Sequence, residues 1–168
     1  MDSTAYFQNA SARNGDSLSE MVFLPHWSSD NWDKLLEQTQ AQFYVPGDIV
    51  IHAGAEDRAL YIVAFGRFMV LANHNQRFAL NLNKRKCIRL STIEGGSVIN
   101  ELAFLDGKSS PETIQAVTEC QLFYLNIDAF ALFSARYPQL GQDILRDLGR
   151  LLALRIRRMA NLLAYRGA

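Results

Sequence analysis

The sequence predicts a mainly β fold, a sandwich or barrel of antiparallel strands with helices at both ends. Three observations predict it. From Gln42 to about Asn126, short apolar runs alternate with turn residues at roughly the 8–12-residue spacing of all-β domains. Just before this stretch, a group of cap-forming residues opens a short helical pattern. From Ile127 onward the apolar period becomes helical.

The elements follow in order. Residues 1–20 are rich in Ser, Ala and Asn without a helical or strand period, and read as a mobile N-terminal arm. An apolar stretch, MVFLPHW, is interrupted by Pro25. Ser28, Ser29 or Asp30 then caps a helix running through Asp33, Leu35, Leu36 and Gln38, with Trp32, Leu35 and Leu36 on its apolar side. The strand runs are FYVPGDIVIHAG, ALYIVAFGRFMVLANHN, RFALNLN, CIRLSTIEGG, TIQAVTE and QLFYLNI. Pro46-Gly47-Asp48 and Gly54 mark tight turns, and Asn73-His74-Asn75-Gln76 a hairpin tip. Phe43, Tyr44, Phe65, Phe68, Phe104 and Tyr124 fall in alternating or buried patterns and are assigned to the core.

Ile127–Arg136 is a short helix with Asp128 near its start, ended by Tyr137-Pro138. A long amphipathic helix runs from about Pro138 to Ala164. Leu145, Leu148, Leu152, Met159 and Leu162 form its stripe, interrupted by Arg155, while Leu140, Ile144, Leu151 and Leu154 widen the apolar surface. A helix of roughly 25 residues is about 38 Å long, more than a small barrel needs to cover itself. A stripe that outruns its own core calls for a partner helix, so a homodimer through Leu145, Leu148, Leu152, Met159 and Leu162 is expected. Close approach at such a contact would explain Gly149, which costs about 1 kcal/mol relative to Ala in mid-helix.

The chain has 168 residues, 49% of them apolar and 11% aromatic, enough for one core of its own. That composition excludes a predominantly disordered chain. Its 17 basic and 17 acidic groups cancel, which argues against general nucleic-acid binding and leaves DNA out of the expected partners. The charge is uneven: residues 1–50 hold 2 basic and 7 acidic groups, 51–110 hold 8 and 5, and 111–168 hold 7 and 5. Neither a secretory signal nor an apolar run of membrane-spanning length is present, so no membrane insertion and a cytoplasmic location are expected. Cys87 and Cys120 form no CxxC and are expected to be buried free thiols.

The glycine spacing carries something more specific. Phe43-Tyr44-Val45-Pro46-Gly47-Asp48, Gly54, Leu60-Tyr61-Ile62-Val63 and Gly66-Arg67-Phe68-Met69-Val70 resemble, in order and spacing, the opening β-roll of the cyclic nucleotide-binding domain. This is the sensor module of the catabolite activator protein family, of cyclic-nucleotide-gated channels and of protein kinase A regulatory subunits. The resemblance continues through Gly95-Gly96, Glu101-Leu102-Ala103-Phe104-Leu105-Asp106-Gly107 and Ala116-Val117 into both C-terminal helices, over about residues 22–164. Its flavour is bacterial, like domains fused to some transporters and glutaminases. It implies a jelly-roll β-roll (a double-stranded β-helix) with flanking helices. Residues 21–137 then form the β-roll with its N-terminal helix, and 138–168 a dimerisation or lid helix.

The resemblance also implies a ligand site. In the family a phosphate-binding cassette presents a Glu to the ribose 2′-OH and an Arg to the cyclic phosphate, with backbone N–H groups at a short helix. The matching run here is Ser97 to Thr113, and the implied site residues are Asn100, Glu101, Leu102, Ala103, Lys108, Ser110, Glu112 and Thr113. Glu101 keeps the ribose position. Asn100 replaces the usual Gly. Ser110 stands where the Arg belongs, Pro111 where a hydroxyl belongs, and Glu112 where a small Ala belongs. A slip of a residue or two would put Glu112 itself at the Arg position. No Arg lies between Arg89 and Arg136, so no small slip restores one. Lys108 is the only other cation in that loop.

These departures imply a noncatalytic regulatory or interaction module with a degenerate cassette and no conventional binding of cyclic AMP or cyclic GMP. Its partners are then a second copy and an unnamed protein. The competing expectation is an atypical sensor of a cyclic nucleotide or other small ligand, coupling binding to movement of the C-terminal helix. No metal, no other cofactor and no catalytic residues are expected. His26, His52 and His74 lack ligand spacing, and Glu101 with Glu112 lacks an accompanying nucleophile. Lys84-Arg85-Lys86 reads as a solvated hairpin, and Arg146, Arg150, Arg157 and Arg158 mainly as the wet face of the last helix. A winged helix-turn-helix would need roughly 60–70 residues beyond Ala168, so a transcription regulator is not expected.

Overall fold

Of the three candidate caps Ser28, Ser29 and Asp30, Ser28 is the one that caps the first described helix. Its Oγ accepts from the Asn31 N–H, and helix α1 (Ser29–Leu36) buries Trp32 and Leu35. The structure, a computed structural model, describes residues 22–73 and 87–166. The N-terminal arm, the predicted hairpin tip beyond Asn73, the run RFALNLN and the basic run Lys84-Arg85-Lys86 lie outside the described residues. So do the side chains of Cys87 and Leu162.

Eight strands follow in two sheets. They are β1 (Gln40–Tyr44), β2 (Ile49–Ile51), β3 (Leu60–Phe65), β4 (Arg67–Asn73), β5 (Cys87–Glu94), β6 (Val98–Ile99), β7 (Thr113–Ala116) and β8 (Cys120–Leu125). Helix α2 (Glu101–Asp106) sits between β6 and β7, and α3 (Ile127–Arg136) and α4 (Pro138–Arg166) close the chain. One sheet has the order β1-β8-β3-β6 and the other β2-β7-β4-β5, with every pairing antiparallel. Consecutive strands β1/β2, β3/β4 and β7/β8 cross between sheets, which makes the sandwich a jelly roll.

The first sheet is buried on both faces, and β3 shows how. Tyr61 and Val63 point into the space between the sheets, with Phe68, Val70, Ile114 and Leu122. Leu60 and Ile62 point the other way, onto Trp32, Phe104, Phe130, Phe133, Ile144, Leu148 and Leu151. That is why LYIVA reads as an unbroken apolar run rather than an alternation. Beyond the helices the same face is bare. Phe43 is 71% exposed and Phe65 41%, so these two aromatics are not core residues as expected. Period 2 turns them to the helix side of the sheet, where no helix reaches them.

Helix α3 has the predicted bounds, and the side chain of Asn126 caps it by accepting from the Ala129 N–H at 2.7 Å. Helix α4 runs two residues past its predicted end. It is tied to the start of the fold. Asp147 Oδ2 accepts from the Leu24 N–H at 2.7 Å, and Arg150 donates both to Asp147 and to the Val22 carbonyl, the latter at 2.6 Å. Arg150 is therefore a structural tie rather than part of a wet face.

Gly66 turns the chain from β3 in one sheet to β4 in the other at φ +97°. A Cβ there would lie 2.6 Å from the Glu119 carbonyl oxygen and 2.8 Å from Cys120 Cα. Gly47 has φ +98° but open space around its Cβ position. Gly47→Ala should therefore lose only the backbone term, about 1–2 kcal/mol. Gly66→Ala should lose at least about twice as much, because backbone atoms cannot move aside as a side chain can. Chemical denaturation of both variants checks this, and equal losses would refute it.

Candidate functional site

The cassette predicted from the sequence lies where the edge strand β6 hands over to α2. Asn100 makes that turn at φ +66°, a conformation Asn tolerates better than most residues other than Gly. Its Nδ2 donates to the carbonyls of Asp57 and Ala59 at 2.9 and 2.8 Å. Where a Gly would give freedom, Asn gives a tie to the entry of β3. The same entry holds a tyrosine cluster, since Asp57 accepts from Tyr61 Oη at 2.5 Å and from Tyr124 Oη at 3.5 Å. Burial, then the Asp57 carboxylate, pushes the Tyr61 hydroxyl far above its usual range, so it stays a donor.

The loop after α2 is anchored on the Ala53–Ala55 turn. Ser110 N–H donates to the Ala55 carbonyl at 2.8 Å, its carbonyl accepts from Gly54 N–H at 2.7 Å, and its Oγ donates to the Glu112 carbonyl at 3.1 Å. Thr113 Oγ1 accepts from the Ala53 N–H at 3.0 Å. Lys108 is exposed and pairs with Asp106 at 3.6 Å. Asn100, Glu101, Leu102, Ser110, Pro111, Glu112 and Ile114 together line a cleft. Of the predicted site residues, the structure thus brings together Asn100, Glu101, Leu102, Ser110 and Glu112. Ala103 is buried on the inner face of α2, Thr113 is committed to Ala53, and Lys108 is outside. The cleft encloses about 20 Å³, room for about one water and far below the roughly 300–1,000 Å³ of ordinary ligand pockets.

One functional residue escaped the sequence reading. Arg155 of α4 reaches the cassette, donating through Nη1 to Glu101 Oε1 and through Nη2 to the Val98 carbonyl at 2.9 Å. Its only signal was that it interrupts an apolar stripe, and it lies 54 positions from its partner. The interruption has a geometric meaning. Ile144, Leu148 and Leu151 are fully buried, and Arg155 continues that inward face by one more turn. Leu148 consequently faces the domain's own core and is not available to a partner helix. The outward face carries Leu145, Ile156, Met159 and Leu163, 45–69% exposed, with Leu152 partly covered.

Glu112 is half-buried opposite this pair. Burial first, and then the nearby Glu101 carboxylate, raise its pKa, while Arg155 opposes the rise. Among the described residues no three His, Cys, Asp or Glu side chains gather as a metal would need, and Cys120 is a buried free thiol. Among them, too, no helix is long and apolar enough to cross a membrane.

The family model for the cyclic nucleotide-binding domain matches residues 41–137, from β1 to the end of α3. The chain belongs to this family. Over 139 residues this cyclic nucleotide-binding domain is 24% identical to Glutaminase 2 of Bradyrhizobium diazoefficiens, covering 83% of this chain but only 20% of that protein. A cyclic nucleotide-binding domain from Methylobacillus flagellatus superimposes with a TM-score of 0.73 at 17% identity, over 89% of this chain and 83% of that one. The Thermus thermophilus catabolite activator protein does so at 0.67 and 22% identity, over 85% of this chain and 62% of that one. At these identities the solved structures speak for the shared jelly-roll fold alone.

The raised pKa of Glu112 has a sign that can be tested. A carboxyl whose folded pKa exceeds its unfolded value favours the fold when protonated and opposes it once pH rises through the folded value. Glu112→Gln should therefore raise Tm at neutral pH, and the gain should vanish below the unfolded value of about 4.5. Thermal melts of both proteins from pH 4 to pH 8, as about ten points, check it. A gain independent of pH would show that Glu112 is not buried as described.

Proposed function

We propose that this cyclic nucleotide-binding domain is a noncatalytic regulatory or interaction module that does not bind cyclic AMP or cyclic GMP in the manner of its family. The observation that carries this reading is the lining of the cleft, which holds two carboxylates, Glu101 and Glu112, and no cation. Losing a bidentate Arg–phosphate pair costs about 1.5–3 kcal/mol. A carboxylate near the phosphate adds repulsion of about 1–4 kcal/mol at 4 Å. Together these remove about two to five decades of affinity. The small cleft and the engagement of Glu101 by Arg155 weigh in the same direction.

The module acts as a homodimer through α4. Leu145, Gly149, Leu152, Ile156, Met159 and Leu163 recur in steps of four and three, the period of a two-helix seam. Gly149 has open space at its Cβ position, so a partner backbone can approach there. This seam keeps Leu145, Leu152 and Met159 of the expected stripe, drops Leu148 and Leu162, and adds Gly149, Ile156 and Leu163.

Titration calorimetry with cyclic AMP and cyclic GMP should show no micromolar binding, and such binding would overturn the first part. Ser110→Arg with Glu112→Ala should gain affinity, because it restores a cation and removes a repelling charge. Sedimentation velocity should give a dimer that Ile156→Asp with Met159→Asp converts to a folded monomer. A wild-type monomer at high protein concentration would remove the seam.

A further inference from the structure

Helix α4 has three sides. Ile144, Leu148 and Leu151 face the fold, and Arg155 continues that side to the cassette. Leu145, Leu152, Ile156, Met159 and Leu163 lie on the flank of the seam. At 100° per residue, Arg150, Leu154, Arg157 and Arg158 fall within about 100° of one another on the roughly opposite flank. Arg157 is exposed there and Leu154 half-buried. This flank is cationic. In the first half of the helix, Asp143 pairs with Arg146 and Asp147 with Arg150. After Asp147 the helix carries Arg150, Arg155, Arg157, Arg158 and Arg166 and no acidic residue, so it has no carboxylate of its own to offer Arg157.

The chain ahead of the fold arrives on this same flank. The Val22 carbonyl accepts from Arg150 at 2.6 Å, and the Leu24 N–H donates to Asp147 at 2.7 Å. Residues 1–21 therefore set out from α4 itself. They carry Asp2, Asp16 and Glu20 against a single cation, Arg13. Two of those acids, with Leu18 between them, stand just ahead of the anchor in Asp16-Ser17-Leu18-Ser19-Glu20. The helix rises about 10 Å from Arg150 to Arg157. Two extended residues span about 7 Å, and six helical ones about 9 Å. Glu20 in an extended segment, or Asp16 in a helical one, thus comes within side-chain reach of Arg157. A second copy of α4 laid on this flank would instead set arginine against arginine.

We propose that the arginine flank of α4, around Leu154, Arg157 and Arg158, is the docking surface of the chain's own acidic segment Asp16–Glu20. The carboxylates of Asp16 and Glu20 meet the arginines, and Leu18 lies toward Leu154. The segment is a strap over α4 on the side away from the seam, so strap and partner helix do not compete for one surface. The inference goes beyond the preceding reading and depends neither on what the cassette binds nor on the seam.

The experiment uses the full chain with the photo-reactive p-benzoylphenylalanine in place of Leu18. Irradiated chains are mapped by mass spectrometry, and mixing nitrogen-14 and nitrogen-15 chains separates cross-links within a chain from those between chains. Cross-links within one chain to residues 150–161 are expected. Arg157→Glu with Arg158→Glu should lower their yield about fivefold or more, since an exposed ion pair is worth up to about fivefold. Adding Asp16→Arg and Glu20→Arg to that variant should restore the yield, because the two charges are then exchanged. Salt at about 0.5 M should act on the wild type as the arginine reversal does, so the test stands even where that variant fails to fold. Cross-links to other elements, such as the bare sheet face at Phe43 and Phe65, overturn the proposal. So do cross-links between chains alone, a yield indifferent to salt, or a folded reversal variant that keeps the wild-type yield or is not rescued by the exchange.

Discussion

The ion pair between Arg155 and Glu101 fixes more of this molecule than any other polar contact. Glu101 has a side chain only 7% exposed, and Arg155 one 24% exposed. A carboxylate so placed needs a cation, and removing one partner of such a pair costs about 3–5 kcal/mol. The pair therefore sets the rotation of α4. With Arg155 inward, helix geometry places Ile144, Leu148 and Leu151 inward too, on the face of the first sheet. The same rotation leaves Ile156, Met159 and Leu163 facing out. The ion pair, the Asp147 and Arg150 ties and the buried Ile144, Leu148 and Leu151 thus agree on one rotation of this 29-residue helix.

In the function proposed above, the site has changed its chemistry without changing its fold. Glu101 keeps its place at the head of α2 because β6, Asn100 and Gly107 hold that short helix at the sheet edge. What has changed is the opposite wall. Ser110 turns its hydroxyl to the loop's own backbone, and Pro111 brings no N–H. Glu112 adds a half-buried carboxylate whose pKa is raised by burial first and then by the Glu101 carboxylate. On the proposed reading the scaffold of the cassette is kept and its electrostatic sign is reversed.

The fold was readable from the sequence because the information is local and periodic. Ser28, the turn at Pro46-Gly47-Asp48, and the runs that became β3, β4 and β8 each declare themselves within a few residues. The bounds of α3 followed from Asp128 and Tyr137-Pro138. Strand β6 was missed because two residues carry no period. Phe43 was misassigned because alternation gives the face of a sheet but not where its cover ends. Leu148 was misassigned for a related reason. A helix with apolar residues on two sides has two equally good stripes, and only the packing partner says which one is core. Within the site, Glu101, Ser110 and Glu112 were legible because they share one short segment. Arg155 was not, since a charge on a distant helix has no local signature of its target.

The close spacing of the two outer roles of α4 has an energetic consequence. Arg155 and Ile156 are neighbours, about 100° apart around the helix. A partner helix packed on Ile156 and Met159 cannot pull α4 away without lifting Arg155 from Glu101 and the Val98 carbonyl. That displacement strands a buried carboxylate, at about 3–5 kcal/mol, about a fifth or more of the stability of a small domain. The proposed seam must therefore accept α4 as the cassette holds it. By linkage, whatever a ligand of the cassette does to the Arg155 contact, the seam does to that ligand's affinity by the same factor. In the proposed dimer the polar pair, and not the apolar stripe, would be the element that couples the seam to the cassette.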